Sequence, residues 1–282
     1  IIMEFLAGNR IRGLSSEKDT VLISVTDLKS YWKFNETSGD IINQATSVGS
    51  TVSLGTGADL QVTGATHGAT GIFGSGTAMT FDGTNDYCKA GTSVSQFNFL
   101  HKVNSTWSIC FWAKGRILPV NDSGIFVTGR VATDNDIGHK TTFQNNANIR
   151  NVQANGSTAI FDKTTTNSYM PDTNFHFYAC RFDYTTFEIT RDGGTTNSQT
   201  GSRSNAGTAS NAMQAAFIGA WGTGSGFFDG EICELSIWDR VLTDAEVTSL
   251  YNSGSGASIS SPINAVDGSI FYETDTNKSY VL

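Results

Sequence analysis

Along most of this chain apolar side chains recur at every second position, in short runs bounded by Gly, Asn, Asp and Ser. Such alternation belongs to extended segments, whose successive side chains point to opposite sides. Strands are predicted at Tyr31–Phe34, Met79–Phe81, Tyr87–Ala90, Trp107–Lys114, Gly124–Thr128, Asn148–Gln153, Phe175–Phe182, Phe187–Arg191, Ala215–Ala220 and Glu231–Trp238. Asp82-Gly83, Asn155-Gly156 and Asp192-Gly193 supply turns between them. So many short strands in succession predict an all-β, antiparallel two-sheet sandwich.

One segment has the helical period. Thr243-Asp-Ala-Glu246 is a capping box, in which the Thr hydroxyl takes a first-turn N–H and the Glu reaches back to the cap. Val247, Leu250 and Tyr251 then share a face, and Gly254 offers a left-handed stop. A helix of about nine residues is marginal alone, so it is expected to pack on the sandwich.

The two ends read differently. Residues 1–29 have a mixed pattern with no evident place in the sandwich. Gly254–Ser261 reads as a Gly/Ser-rich linker. Ile270-Phe-Tyr and Ser279-Tyr-Val flank a turn-forming Asp275-Thr-Asn277, which predicts a hairpin tail. The expected division is an arm (1–29), a sandwich (30–254), and a linker with a tail (255–282).

Composition supports a packed β core. The 282 residues include 18 Phe, and only 16% are charged, below the usual ~25%. The net charge of −8 comes without a Lys/Arg cluster, so no nucleic-acid partner is expected. No apolar run reaches the ~18–20 residues of a membrane helix, and no membrane insertion is expected. Cys88, Cys110, Cys180 and Cys233 form no CxxC pair and have no His at ligand spacing. Each lies in an apolar or alternating run, as small buried hydrophobes do, although sequence alone leaves three disulfide pairings open.

Several strings in chain order resemble the laminin-G-like, concanavalin A-like lectin jelly-roll domains. They are Tyr31-Trp-Lys-Phe-Asn-Glu-Thr-Ser-Gly, Phe81-Asp-Gly-Thr-Asn-Asp-Tyr and Trp107-Ser-Ile-Cys-Phe-Trp-Ala-Lys. Phe175-His-Phe-Tyr-Ala-Cys-Arg-Phe-Asp with Phe187-Glu-Ile-Thr-Arg-Asp-Gly-Gly continues the match, and Gly230-Glu-Ile-Cys-Glu-Leu-Ser-Ile-Trp-Asp-Arg-Val-Leu-Thr ends it. The resemblance covers about residues 30–254 and implies a jelly roll with one short C-terminal helix. Cys233 stands where the family commonly has an acidic residue. The end strings FLAGNRIRGLSSEK and SIFYETDTNKSYVL are similar to bacteriophage tail-fibre and virion appendage proteins, in which the second string is followed by more chain.

The residues raise three candidate chemistries. Glycoside hydrolysis needs two carboxylates flanking one bond. Glu231 and Glu234 are three apart, which on a regular strand sends them to opposite faces. His67, His101, His139 and His176 are scattered, so no catalytic set is expected and the chain reads as non-enzymatic. Calcium takes oxygen ligands, and Asp82, Asn85 and Asp86 offer them in one turn, unless these residues simply make the turn. A sugar seat needs a flat aromatic ring with polar groups beside it. Trp221, between Ile218-Gly-Ala and Gly-Thr-Gly-Ser-Gly on a loop expected to be flexible, is the candidate, with contact to a partner subunit as its alternative. Trp32, Trp107, Trp112 and Trp238 lie within strands and are expected in the core.

Together these readings predict a non-enzymatic virion decoration or tail-appendage protein. It would display a lectin-like domain toward host-surface glycans and assemble with other virion proteins as a homo-oligomer. The alternative is a carbohydrate-binding module of a secreted or cell-surface bacterial protein.

Overall fold

The computed structural model describes residues 4–6, 10–13, 24–116, 122–129, 132–145, 148–166, 172–194, 196–200, 207–259, 270–273 and 276–281. In chain order the first strands are β1 (Glu4–Leu6), β2 (Arg10–Gly13), β3 (Leu28–Trp32), β4 (Leu60–Thr63), β5 (Thr66–Gly71), β6 (Gly74–Asp82), β7 (Tyr87–Ala90), β8 (Trp107–Gly115) and β9 (Ser123–Val127). They are followed by β10 (Gly138–Phe143), β11 (Ile149–Ala154), β12 (Ala159–Thr164), β13 (His176–Phe182), β14 (Thr186–Arg191), β15 (Thr196–Thr200), β16 (Phe217–Ile218), β17 (Asp229–Trp238), helix α1 (Asp244–Tyr251), β18 (Ile270–Glu273) and β19 (Ser279–Val281).

Two antiparallel sheets make the sandwich. One runs β12-β11-β10-β9-β16-β7-β4. The other runs β15-β14-β13-β8-β17-β6-β5, with β3 also paired to β17. The long β17 serves both β6 and β3: Asp229–Ile232 pairs with β6 and Leu235–Trp238 with β3. Alternation sorts β8 as its sequence predicts. Trp107, Ile109, Phe111 and Ala113 enter the core between the sheets, whereas Cys110 and Trp112 point to the other side.

That other side is also buried. Cys110, Trp112, Phe177, Cys233 and Trp238 pack there against Leu242, and against Val247 and Leu250 of α1. The helix starts as its capping box predicts: Glu246 N–H donates to Thr243 Oγ1 at 3.2 Å, and Thr243 N–H to Glu246 Oε2 at 2.9 Å. Its stop lies earlier than expected. Asn252 takes the left-handed cap (φ 46°), and Gly254 (φ 92°) ends the short turn that follows. Asn tolerates this conformation because its side chain can bond locally, here from Nδ2 to Gly256 O at 2.9 Å.

The Gly/Ser-rich stretch expected as a linker is a packed strap over Gly254–Ile259. Ala257 N–H donates to Leu250 O at 3.0 Å, and Ile259 is 1% exposed. The arm expected to stand apart supplies β1 and β2, which join the tail hairpin in one sheet of order β1-β2-β18-β19. Within it β2 pairs in parallel with β18, Ile11 opposite Phe271.

All four cysteines are free and buried. Trp32, Trp107, Trp112 and Trp238 are core residues, as expected. The predicted strand Ala215–Ala220 shrinks to β16 because Gly219 turns the chain at φ 82°, where its carbonyl accepts from Phe228 N–H. Strands β4, β5, β10, β12 and β15 had no counterpart in the alternation pattern.

Candidate functional site

Trp221 follows β16 and opens a loop that returns at Gly226. Hydrogen bonds tie the two ends of the loop to each other and to β9. Trp221 N–H donates to Ser225 O at 3.1 Å, Gly124 N–H to Gly226 O at 2.9 Å, and Ser123 Oγ to Phe227 O at 3.1 Å. Gly226, at φ +67°, lies against the indole so closely that a Cβ there would sit 2.3 Å from the ring. The ring is thereby held half-buried just beyond the end of β16 in the seven-stranded sheet.

Beside it, the outer face of that sheet carries polar groups. On β10, His139 and Phe143 face inward, His139 with its ring 4.7 Å from that of Trp107 and Phe143 within the inter-sheet core. Lys140 and Thr142 therefore point outward. On β11, Ile149 is inside, so Arg150 and Val152 point outward. These four residues, with Asp122, Asp134 and Trp221, line a small cleft open to solvent. Sequence reasoning found the tryptophan and missed the polar residues.

The charges in the cleft are joined to one another. Lys140 Nζ, almost wholly buried, donates to Asp134 O at 2.7 Å and to Asp134 Oδ1 at 3.1 Å. Arg150 donates from Nη1 to Asp134 Oδ2 at 2.9 Å. It also forks onto Asp162, Nε to Oδ1 at 2.8 Å and Nη2 to Oδ2 at 2.5 Å. Partial burial would raise the Asp134 carboxyl, but Lys140 and Arg150 outweigh it and hold the group at about 2.

Asp82, Asn85 and Asp86 do lie in one turn, after β6. Asp82 Oδ1 accepts from Thr84 N–H at 2.8 Å and Asn85 N–H at 3.3 Å, and Asp86 Oδ2 accepts from Asp82 N–H at 2.9 Å. These bonds turn carboxylate oxygens onto the turn's own backbone, as Asp does in tight turns. Among the described residues, no group of three or more His, Cys, Asp or Glu side chains is placed to hold a metal ion.

The glutamates of β17 depart from the expected geometry. Between Cys233 and Ser236 the register to β8 slips by one residue, and Glu234 adopts φ 52°. This is a β-bulge, and its extra residue restores Glu234 to the face that carries Cys233 and Glu231. The two carboxylates thus share a face instead of opposing one another. They do not share an environment. Glu231 pairs with Lys114 at 3.4 Å. Glu234, 8% exposed, accepts from the Tyr31 hydroxyl beneath the strap. Burial pushes its carboxyl up to about 7, against the opposing pulls of the Tyr31 bond and Lys33. Nothing in the sequence marks the bulge, because no glycine stands at its left-handed position.

His139 is buried against Trp107, with Nε2 2.9 Å from Thr141 Oγ1. His176, half-buried, lies between Asp192 (2.5 Å from Nδ1) and Asp172 (3.1 Å from Nε2).

A two-sheet jelly roll whose last sandwich strand lies within one sheet, and whose capped helix packs on that sheet, defines a concanavalin A-like domain. Residues 82–248 match the profile of the concanavalin A-like lectin/glucanases superfamily, more than half of the chain, and the chain belongs to that family. A comparison with curated proteins finds no match. Several solved structures share the fold. Trypanosoma rangeli sialidase in complex with the inhibitor DANA aligns with a TM-score of 0.55 at 14% identity, over 82% of this chain and 34% of that one. The fourth domain of a GH43 extracellular arabinanase from Geobacillus stearothermophilus, in complex with arabinotriose, aligns at 0.51 and 17% identity, over 79% of this chain and 97% of that one. The binding domain of botulinum neurotoxin DC in complex with SialylT aligns at 0.52 and 13% identity, over 80% and 51%. This chain therefore spans only a minor part of the sialidase, and the likenesses are of fold.

Proposed function

We propose that this chain is a non-catalytic glycan-binding module and that its sugar seat is the cleft beside Trp221. One observation carries the reading: a fixed, half-buried indole borders a cleft lined by Asp122, Lys140, Thr142 and Arg150. An aromatic plane against the apolar face of a sugar, with polar groups at its rim for the hydroxyls, is how such sites work. The non-catalytic part is supported by the β17 carboxylates, since Glu231 is tied to Lys114 and Glu234 lies under the strap. A glycan array probed with the wild-type chain and with Trp221→Ala tests the reading, with and without chelator because of the Asp82–Asp86 turn. Binding that survives the substitution, or no binding at all, would remove it.

The carrier is proposed to be a virion appendage, in which the module assembles as a homo-oligomer with other virion proteins. This rests on the resemblance of the two ends to phage appendage sequences. A secreted or cell-surface carrier has its own support, because this chain covers 97% of a domain that belongs to an extracellular enzyme. Neighbouring genes decide between them: capsid and tail genes favour the first, and a secretion signal or wall anchor in the full gene favours the second.

A further inference from the structure

The charges around the cleft bear on which sugars it can take. An acidic sugar brings a carboxylate or sulfate, and holding it requires a cation with donors to spare. Among the described lining residues the cations are Lys140 and Arg150. Both are occupied. Arg150 meets Asp162 fork to fork and gives its remaining terminal nitrogen to Asp134. Lys140 is sunk beneath Asp134, with its ammonium on that residue's carbonyl and carboxylate.

Against these two positive charges stand three negative ones, on Asp122, Asp134 and Asp162. An incoming anion would have to displace an aspartate from Arg150, which exchanges one carboxylate for another and leaves the displaced one uncompensated beside the ligand. A neutral hydroxyl meets no such conflict. Each carboxylate oxygen keeps lone-pair capacity beyond the bonds it already accepts, so sugar O–H groups can donate to Asp122 and Asp134, which line the cleft, while the ion pairs stay intact. Thr142 adds a hydroxyl on the same face.

We propose that the cleft selects uncharged glycans, and that Asp134 and Asp162 exclude acidic ones by occupying Lys140 and Arg150, the cations among its described lining residues. This inference rests on the reading of the cleft as a sugar seat. It also makes Asp162 a specificity-determining residue, one that acts through Arg150 rather than by lining the cleft.

The test is an array that presents each glycan core both uncharged and in sialylated or sulfated form, probed with the wild-type chain and with Asp162→Asn. Asparagine keeps the size of the side chain and removes its charge, so two positive charges then face two negative ones and Arg150 loses the carboxylate that held its fork. The wild type is expected to hold uncharged cores about tenfold or more tighter than their acidic forms, and Asp162→Asn to close much of that gap. Thermal unfolding of the variant serves as the folding control. Should the variant fail to fold, the wild-type comparison of paired cores decides alone. The proposal is overturned if the wild type holds acidic forms as tightly as uncharged ones, or if a folded Asp162→Asn leaves the ratio unchanged. In either case the sugar seat itself stands. Retention of neither form by the wild type removes the sugar seat and this inference together.

Discussion

The phenol of Tyr31 donates its hydrogen to the carboxylate of Glu234, 203 residues further along the chain. Tyr31 lies on β3, and Glu234 lies at the bulge of β17. The Tyr31 oxygen is also 2.9 Å from Ser258 Oγ and accepts from Ile259 N–H at 3.2 Å. One hydroxyl thus ties an early strand, the bulge and the strap together. Tyr31→Phe keeps the ring and removes the hydroxyl, which strands a buried carboxylate and a backbone N–H. The expected loss is about 1–3 kcal/mol of unfolding free energy, read by denaturant titration. A loss near zero would show that the strap holds without this bond.

The same pair predicts a pH dependence. Glu234 binds its proton more tightly in the folded chain, at about 7, than at the ordinary 4.5. The fold therefore favours the neutral form. Its contribution is complete below about 4.5, declines as pH rises toward about 7, and is absent above that, a total on the order of 3 kcal/mol. Lys33 is the cation facing this carboxylate. Asp86 and Asp239 are raised in the same sense, with burial as the leading cause, but from an ordinary value of 3.8, and Asp134 is lowered, so its effect falls in acid. Denaturant titrations at pH 5 and pH 7.5 are expected to show the decline in the wild type and a flatter profile in Glu234→Gln.

Gly226→Ala separates the posture of the indole from its presence. A Cβ at this position would meet the Trp221 ring at 2.3 Å, on a backbone with φ +67°. The ring must move, so glycan binding is expected to fall while Trp221 itself remains. A melting temperature within a few degrees of wild type, about what 1 kcal/mol produces in a domain of this size, would assign the loss to the site. Unchanged binding would show that the ring's position is immaterial.

The thiols supply a test of packing. All four cysteines are buried. Burial raises each of them, Cys233 to about 12, and the thiolate is the reactive form. A thiol reagent is expected to label none of them in the folded chain and all of them in denaturant. Labelling of Cys110 and Cys233 but not of Cys88 and Cys180 under native conditions would mean that α1 and the strap open on their own.

The fold was legible wherever burial and alternation agree. Trp107-Ser-Ile-Cys-Phe-Trp reads as a core strand because both of its faces are apolar. Strand β10 did not, because its fully buried residues are Gly138-His-Lys-Thr-Thr-Phe143, polar side chains satisfied by bonds that the sequence cannot show. Strands β5 and β15, rich in Thr, Gly and Asn, failed because they are largely exposed and carry too few apolar residues to alternate. In the candidate site, Trp221 stood out between glycines. Arg150 and Lys140 did not, since an isolated charge on a strand looks like any solvated position. The bulge at Glu234 was invisible because it adds one residue and reverses a parity argument that assumes none.

The four-stranded sheet that joins the two ends decides where tension on the backbone would be felt. Since β1 runs against β2, β2 runs with β18, and β18 runs against β19, β1 and β19 run the same way along opposite edges. A pull that enters at the start of β1 and leaves at the end of β19 shears the small sheet lengthwise, loading its hydrogen bonds together rather than one at a time. The jelly roll, inserted between β2 and β18, lies outside that line of force and keeps the Trp221 cleft in shape while the chain is under strain.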